Sequence, residues 1–339
     1  MTRGHLNETG PTGGVLASLA LLGTAAIVGA VLLARRPHGD LATLEPTPSR
    51  PEPDHVPIAP SPTVDRQHAA KAARRLNRAA GLIATSVLLD SAVEHYRGAF
   101  SNRAMYTPIA VSALVLAASF HGHRDRGQKA HMARDGVYAL AGLTGIAGTG
   151  FHIYNVGKRV GGFSWQNLFY AAPLGAPAAI SLSGMVGFLA ERVRNNEPGT
   201  LPLVAGLPAG RVVGLLTSLG LLGTVGEAGL LHFRGAYHNP AMLIPVTLPP
   251  AAAALLGAAS LGAAQQARPL TRWWLRVTAL VGVVGVGFHA VGVARNMGGW
   301  RNWTQNFQVG PPLPAPPAFT GLALAGLAAL GLLQDQPDD

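Results

Sequence analysis

Four histidines stand at matched places in a chain that repeats itself. His95 opens the phrase His-Tyr-Arg-Gly-Ala-Phe-Ser-Asn-Arg-Ala-Met, and His232 opens His-Phe-Arg-Gly-Ala-Tyr-His-Asn-Pro-Ala-Met, 137 residues later. At the same offset, Gly148-Thr149-Gly150-Phe151-His152 meets Gly285-Val286-Gly287-Phe288-His289. Ionisable side chains at membrane depth are costly and usually mark a functional site. Two imidazoles facing each other across a helical bundle suit ligation of b-type haem iron from both sides. The expectation is therefore two haems, with His95 and His152 as metal ligands in one copy and His232 and His289 in the other.

Two further patterns bear on that chemistry. Gly145 and Gly148 lie seven and four residues before His152, and Gly282 and Gly285 hold the same places before His289. Each set shares a helix face with its histidine, so a flat macrocycle could lie against bare backbone there. Arg97 and Arg234 follow the first histidine of each copy by two residues, where a cation at the interface could pair with a haem propionate. Other readings use the same residues. A quinone head group or a non-haem metal ion could take the histidines, or they could simply hydrogen-bond neighbouring helices. Glycines at this spacing are also how membrane helices pack closely.

The elements that position these residues follow from composition. Of 339 residues, 48% are hydrophobic and 12% charged, against a usual charged share of about 25%. Several apolar runs are long enough to span a bilayer, so the fold class is all-α, a polytopic membrane protein. The formal charge of +10 sits in short loops between apolar runs, which fits bilayer orientation and lipid contact rather than nucleic acid. With no cysteine, disulfides, thiolate metal sites and covalently attached c-type haem are excluded.

Residues 1–36 read as an N-terminal transmembrane anchor and 37–78 as a Pro-rich linker with a basic lead-in. Residues 79–196 and 211–334 read as two four-helix repeats. That makes about nine spans, with both repeats running in the same orientation. Arg and Lys concentrate in 66–78, 123–134, 192–194 and 268–276, which places that side and the linker in the cytoplasm and the N-terminus outside, in a plasma membrane. The histidines then lie near the outer face. Asp90 and Glu227 also match between copies and read either as a proton relay or as acids paired inside the bundle. Outer loops with Trp165, Trp300 and Trp303 suggest short interfacial helices, and Asn102 and Asn239 suggest caps for the helix that follows.

The repeated wording resembles bacterial multi-pass membrane proteins, and the paired histidines are similar to those of membrane cytochrome b subunits in ligand logic. Those subunits often carry two histidines on one helix, so no residue is carried over. The resemblance implies an electron-transfer subunit, passing electrons between an extracytoplasmic redox or enzyme partner and quinone or a second haem. A non-redox anchor for an outer-face enzyme and a transporter are the rival functions.

Overall fold

The computed structural model describes residues 66–127, 129–171, 173–197, 200–263 and 267–334. The expected anchor at 1–36 and residues 37–65 of the expected linker lie outside these residues. Helices α1 (Arg66–Arg97), α2 (Thr107–Arg124), α3 (Met132–Gly157), short α4 (Trp165–Tyr170) and α5 (Gly175–Arg194) make the first half. The second half has α6 (Ala209–Arg234), α7 (Ile244–Ser260), α8 (Arg268–Arg295), short α9 (Trp303–Val309) and α10 (Pro317–Gln334). A two-stranded hairpin, β1 (Leu203–Val204) with β2 (Leu207–Pro208), joins them. It turns through Ala205 and Gly206, both at positive φ.

Two boundaries differ from the sequence reading. The basic lead-in is part of α1, because the stretch from Arg66 to Ala80 is rich in Ala, Arg and Lys and contains no Gly or Pro to stop a helix. The last helix expected in the first repeat, 79–196, is preceded by a separate short piece, Trp165–Tyr170. Proline at 173 breaks the chain between α4 and α5, since it cannot donate to a continuing helix.

Within the first half, α1 packs on α2 and α5, and α3 packs on the same two, so α1 and α3 face each other diagonally. In the second half α6 and α8 stand diagonally between α7 and α10. The halves meet through α1 on α10 and α5 on α6. Small residues allow the close approach: a Cβ on Gly321 of α10 would lie 2.7 Å from Ile83 of α1.

Five helical segments among the described residues are long and apolar enough to cross a membrane: Arg103–Arg124, Ala209–Arg234, Pro240–Ser260, Arg268–Arg295 and Pro317–Gln334. The last is the most enclosed by protein, and the other four keep most of their surface outside the fold. Leu114, Leu143, Leu219, Leu280 and Val283 are among their neighbours' and their own large exposed apolar side chains. So much outward apolar surface is what lipid contact requires.

The end of the first half that carries the helix-α1 N-terminus holds a buried ionic cluster. Glu191 and Arg194 of α5 and Arg134 of α3 are all essentially inaccessible. The Glu191 carboxylate accepts from Arg134 at 2.8 Å and from the His131 amide at 3.0 Å. Arg194 donates to the carbonyls of Gly122 and Gly127 and so holds the loop after α2. Tyr138 donates to Asn77, which itself reaches Glu191. At the places of Arg134, Tyr138, Glu191 and Arg194, the second half has Thr271, Leu275, Leu330 and Leu333, all buried.

Removing one partner of a buried ion pair strands the other charge, at about 3–5 kcal/mol. Glu191→Gln is therefore expected to lower stability by that order in a detergent-solubilised unfolding series. Asp125, at the mouth of the cluster, behaves differently. Burial opposes its ionisation, but the Gly127 amide, Arg134 and Arg194 outweigh it and hold its carboxyl below the usual aspartate range. A depressed carboxylate contributes stability that is complete above the ordinary value of about 3.9 and fades as pH falls through the lower folded value. Asp125→Asn should thus cost stability at neutral pH and flatten the acid limb of the melting curve.

Candidate functional site

The four histidines come from the diagonally opposed helices: His95 from α1 and His152 from α3, His232 from α6 and His289 from α8. All four are half-buried. Each uses Nδ1 in the same way. His95 donates it to the Met105 carbonyl at 2.6 Å, and His232 to the Met242 carbonyl at 2.8 Å. His152 gives it to the Pro173 carbonyl, and His289 to the Pro312 carbonyl at 2.7 Å. A backbone carbonyl can only accept, so Nδ1 carries a proton, and in the neutral ring Nε2 is the lone-pair nitrogen. This is the outer hydrogen bond that orients a metal-ligating imidazole and raises its basicity.

In the second half the pair converges: His232 and His289 have ring centroids 6.5 Å apart, with planes at 70°. Among the described residues no three His, Asp or Glu side chains gather at one point.

Backbone geometry places the rest of the site. After α1 the chain takes two consecutive left-handed residues, Ala99 (φ 52) and Phe100 (φ 47), and after α6 Ala236 (φ 53) and Tyr237 (φ 46). Left-handed backbone costs a residue with a Cβ about 1–2 kcal/mol. Here it returns the amide of Phe100 to the His95 carbonyl and that of Tyr237 to the His232 carbonyl. The aromatic ring is thereby set edge-on to the histidine, at 6.4 Å for Phe100 and 6.1 Å for Tyr237. Asn102 and Asn239 then cap the following 3-10 turns by accepting from Ala104 and Ala241, each at 2.9 Å. Those turns bring the Met105 and Met242 carbonyls to the histidines. The methionines thus serve through their backbones, and the sequence flagged the positions without showing which atom mattered.

The other two carbonyls are placed by the outer loops. Asn167 donates to the carbonyls of Val160 and Gly162, and Asn306 to those of Met297 and Gly299. Both asparagines are buried at the start of a short helix, and each ties down the loop that runs on to the proline carbonyl.

The glycine face is filled by protein, a departure from the sequence reading. A Cβ on Gly148 would stand 3.0 Å from the Pro177 Cβ, and one on Gly285 2.8 Å from the Pro316 Cβ. Gly145 and Gly282 lie against Ser181 and Thr320. Those hydroxyls donate across the same contact, Ser181 to the Gly142 carbonyl at 2.9 Å and Thr320 to that of Ala279 at 2.8 Å. These glycines let α3 close on α5 and α8 on α10, and so fix the depth of His152 and His289.

On α6 the buried positions stop at Leu221, on α7 they begin at Pro249, and on α8 none lies between Gly282 and Val293. In the first half α2 has no buried position before Val111, and α3 has none between Thr149 and Val156.

The charged candidates separate. Arg97 is paired with Glu94 at 2.6 Å on the surface. Arg234 lies over the Tyr170 ring at 5.1 Å and has no carboxylate partner among the described residues. Glu227 accepts from the Gly175 amide at 2.9 Å, at the first turn of α5, where a helix favours negative charge. Asp90 lies within electrostatic reach of Glu227, Glu94 and Arg97.

No known protein family matches the chain, and neither the curated proteins nor the solved structures contain a match.

Replacing Asn306 by Ala removes two buried hydrogen bonds and should cost about 2 kcal/mol. Hydrogen exchange should quicken across 297–312 while α10 stays protected. Unchanged exchange there would show that the loop is fixed by something other than Asn306.

Proposed function

We propose that this protein is an integral membrane electron-transfer subunit that holds one b-type haem in each half, through His95 with His152 and through His232 with His289. The observation that carries the reading is the His232–His289 pair, with rings 6.5 Å apart and crossed at 70°. The residues fit the group in two ways. Two nitrogens per site are what a macrocycle-bound iron lacks, and the Nδ1 bonds leave Nε2 for it. When bound, the haem supplies a one-electron redox centre. A haem held by two imidazoles from the chain would be suited to passing electrons and not to binding oxygen.

The chain's own residues have definite tasks in this reading. The carbonyls of Met105, Met242, Pro173 and Pro312 hold each imidazole in one tautomer. Phe100 and Tyr237 close the site toward the loops. Arg234 is the better placed propionate partner, since Arg97 is already neutralised by Glu94. The exposed Trp165, Trp300 and Trp303 on the outer loops suit an interfacial belt or a redox partner, with quinone as a further electron acceptor.

The purified chain should show a reduced-minus-oxidised spectrum of a six-coordinate b haem, and pyridine extraction should count two haems per chain. His152→Leu and His289→Leu should each leave about one. A colourless protein, or haem content unmoved by both variants, overturns the assignment.

The nine-span topology, built on a duplicated repeat, belongs to the same proposal. The basic loops put residues 37–78 in the cytoplasm and the histidines near the outer face. Single cysteines introduced into 37–65 should resist an impermeant thiol reagent on intact cells and react after lysis. Labelling on intact cells reverses the orientation.

A further inference from the structure

A second site lies at the opposite end of the molecule from the histidines. Arg75 stands twenty residues before His95 on α1, about 30 Å along the helix and so about one hydrocarbon thickness away. There, a cavity of about 450 Å³ opens between the two halves. Arg75 and Arg78 enter it from α1, and Arg272 and Arg276 from α8. The apolar side chains of Leu324 and Leu327 and the bare backbone of Gly331 line it from α10.

The spacing makes two pairs. Residues three apart on α1 and four apart on α8 share a helix face, so each helix presents two guanidiniums to one space. Among the described residues, no carboxylate lines the cavity. Gln334 accepts from Arg272 at 2.7 Å, and Arg78 meets the His123 ring at 3.4 Å. Arg75 and Arg276 have no such partner among the described residues, and both are exposed. Four like charges around one small cavity repel each other, and no protein acid among its lining answers them. Guanidinium pairs fit phosphate oxygens by parallel hydrogen bonds. The apolar wall on α10 asks for something that is not charged throughout.

We propose that this cavity binds the headgroup of an anionic phospholipid carrying two phosphodiesters, one on each arginine pair, with its acyl chains running along Leu324 and Leu327. Basic pockets between transmembrane helices at the cytoplasmic side are where such headgroups bind, and the arginine-rich end is the one that the positive-inside rule turns to the cytoplasm. A lipid held there bridges α1 of one half to α8 and α10 of the other. The site is independent of the haem reading, because none of its residues approaches a histidine pair.

The test is native mass spectrometry of the full chain in uncharged detergent, titrated with diphosphatidylglycerol. One lipid per chain is expected to bind. Each arginine near an anionic lipid is worth about a fivefold change in affinity, so the double variant Arg75→Gln with Arg276→Gln should weaken binding about 25-fold. The charge-conserving Arg75→Lys with Arg276→Lys should weaken it far less and covers the case in which the first variant does not fold. Phosphatidylcholine should not compete, and neither should pyrophosphate at equal concentration. Binding unchanged in the glutamine variant overturns the proposal, as does displacement by pyrophosphate, which would mark a site for a soluble phosphate. Binding that appears only after Asp335, Asp338 and Asp339 are changed to Asn also overturns it, because the chain's own acidic end would then be the natural occupant.

Discussion

Everything at the histidine end depends on one hydrogen bond made four times, from imidazole Nδ1–H to a backbone carbonyl. In membrane surroundings an imidazole with no partner is costly, and a carbonyl freed by a proline-broken helix is costly too. Each bond satisfies both at once. The carbonyls of Pro173 and Pro312 are available because the chain cannot run straight from the short outer helix into α5 or α10. Those of Met105 and Met242 are available because a 3-10 turn comes before α2 and α7, where the first helical residues have no use for them. The irregular backbone thus exists where it serves the histidines, and the histidines are orientated by it. What this leaves over is the second ring nitrogen, and it points to the function proposed above.

The second constraint is packing, and it divides each bundle along its length. At the arginine-rich end α1, α3 and α5 close through Ala, Gly and Ser, and α6, α8 and α10 do the same with more leucine. At the other end the same helices lose their buried positions within about two turns of the histidines. In the first half the closed end is locked by charges buried together, and in the second by Leu275, Leu330 and Leu333. Two different chemistries produce the same closure. A buried ion cluster is not needed for tight packing; in the first half it also holds the loop between α2 and α3, through Arg194.

Much of this was legible in the sequence, and the pattern of what was not is instructive. The helix content, the four histidines, the capping role of Asn102 and Asn239 and the short helices at Trp165 and Trp303 can be read from residue type and spacing, because each depends on local chemistry. The glycines at 145, 148, 282 and 285 were visible as a face but not as a face turned to α5 and α10. Spacing shows which residues share a stripe and is silent on what covers it. The proline carbonyls could not be read at all, since a backbone oxygen is present at every position and only the path of the chain selects one. The cavity of four arginines was equally hidden. Arg75 and Arg276 are two hundred residues apart, and nothing in either neighbourhood suggests the other.

The two halves are not equivalent where they touch, and a single residue explains why. Glu227 binds the Gly175 amide at the head of α5. The matching partners are Asp90 and Pro314, and proline has no amide hydrogen to offer. The contact is instead made from the helix side, where Ser86 donates to the Pro314 carbonyl at 2.5 Å. One acid is therefore fixed at a helix N-terminus while the other stands without a backbone donor, near Glu227 and Glu94. Haem potentials respond to nearby charge, hydrogen bonding and burial. On the proposed reading, two sites built from the same four-residue vocabulary would thus differ in potential through this one substitution. Such a difference would give an electron crossing between the halves a preferred direction.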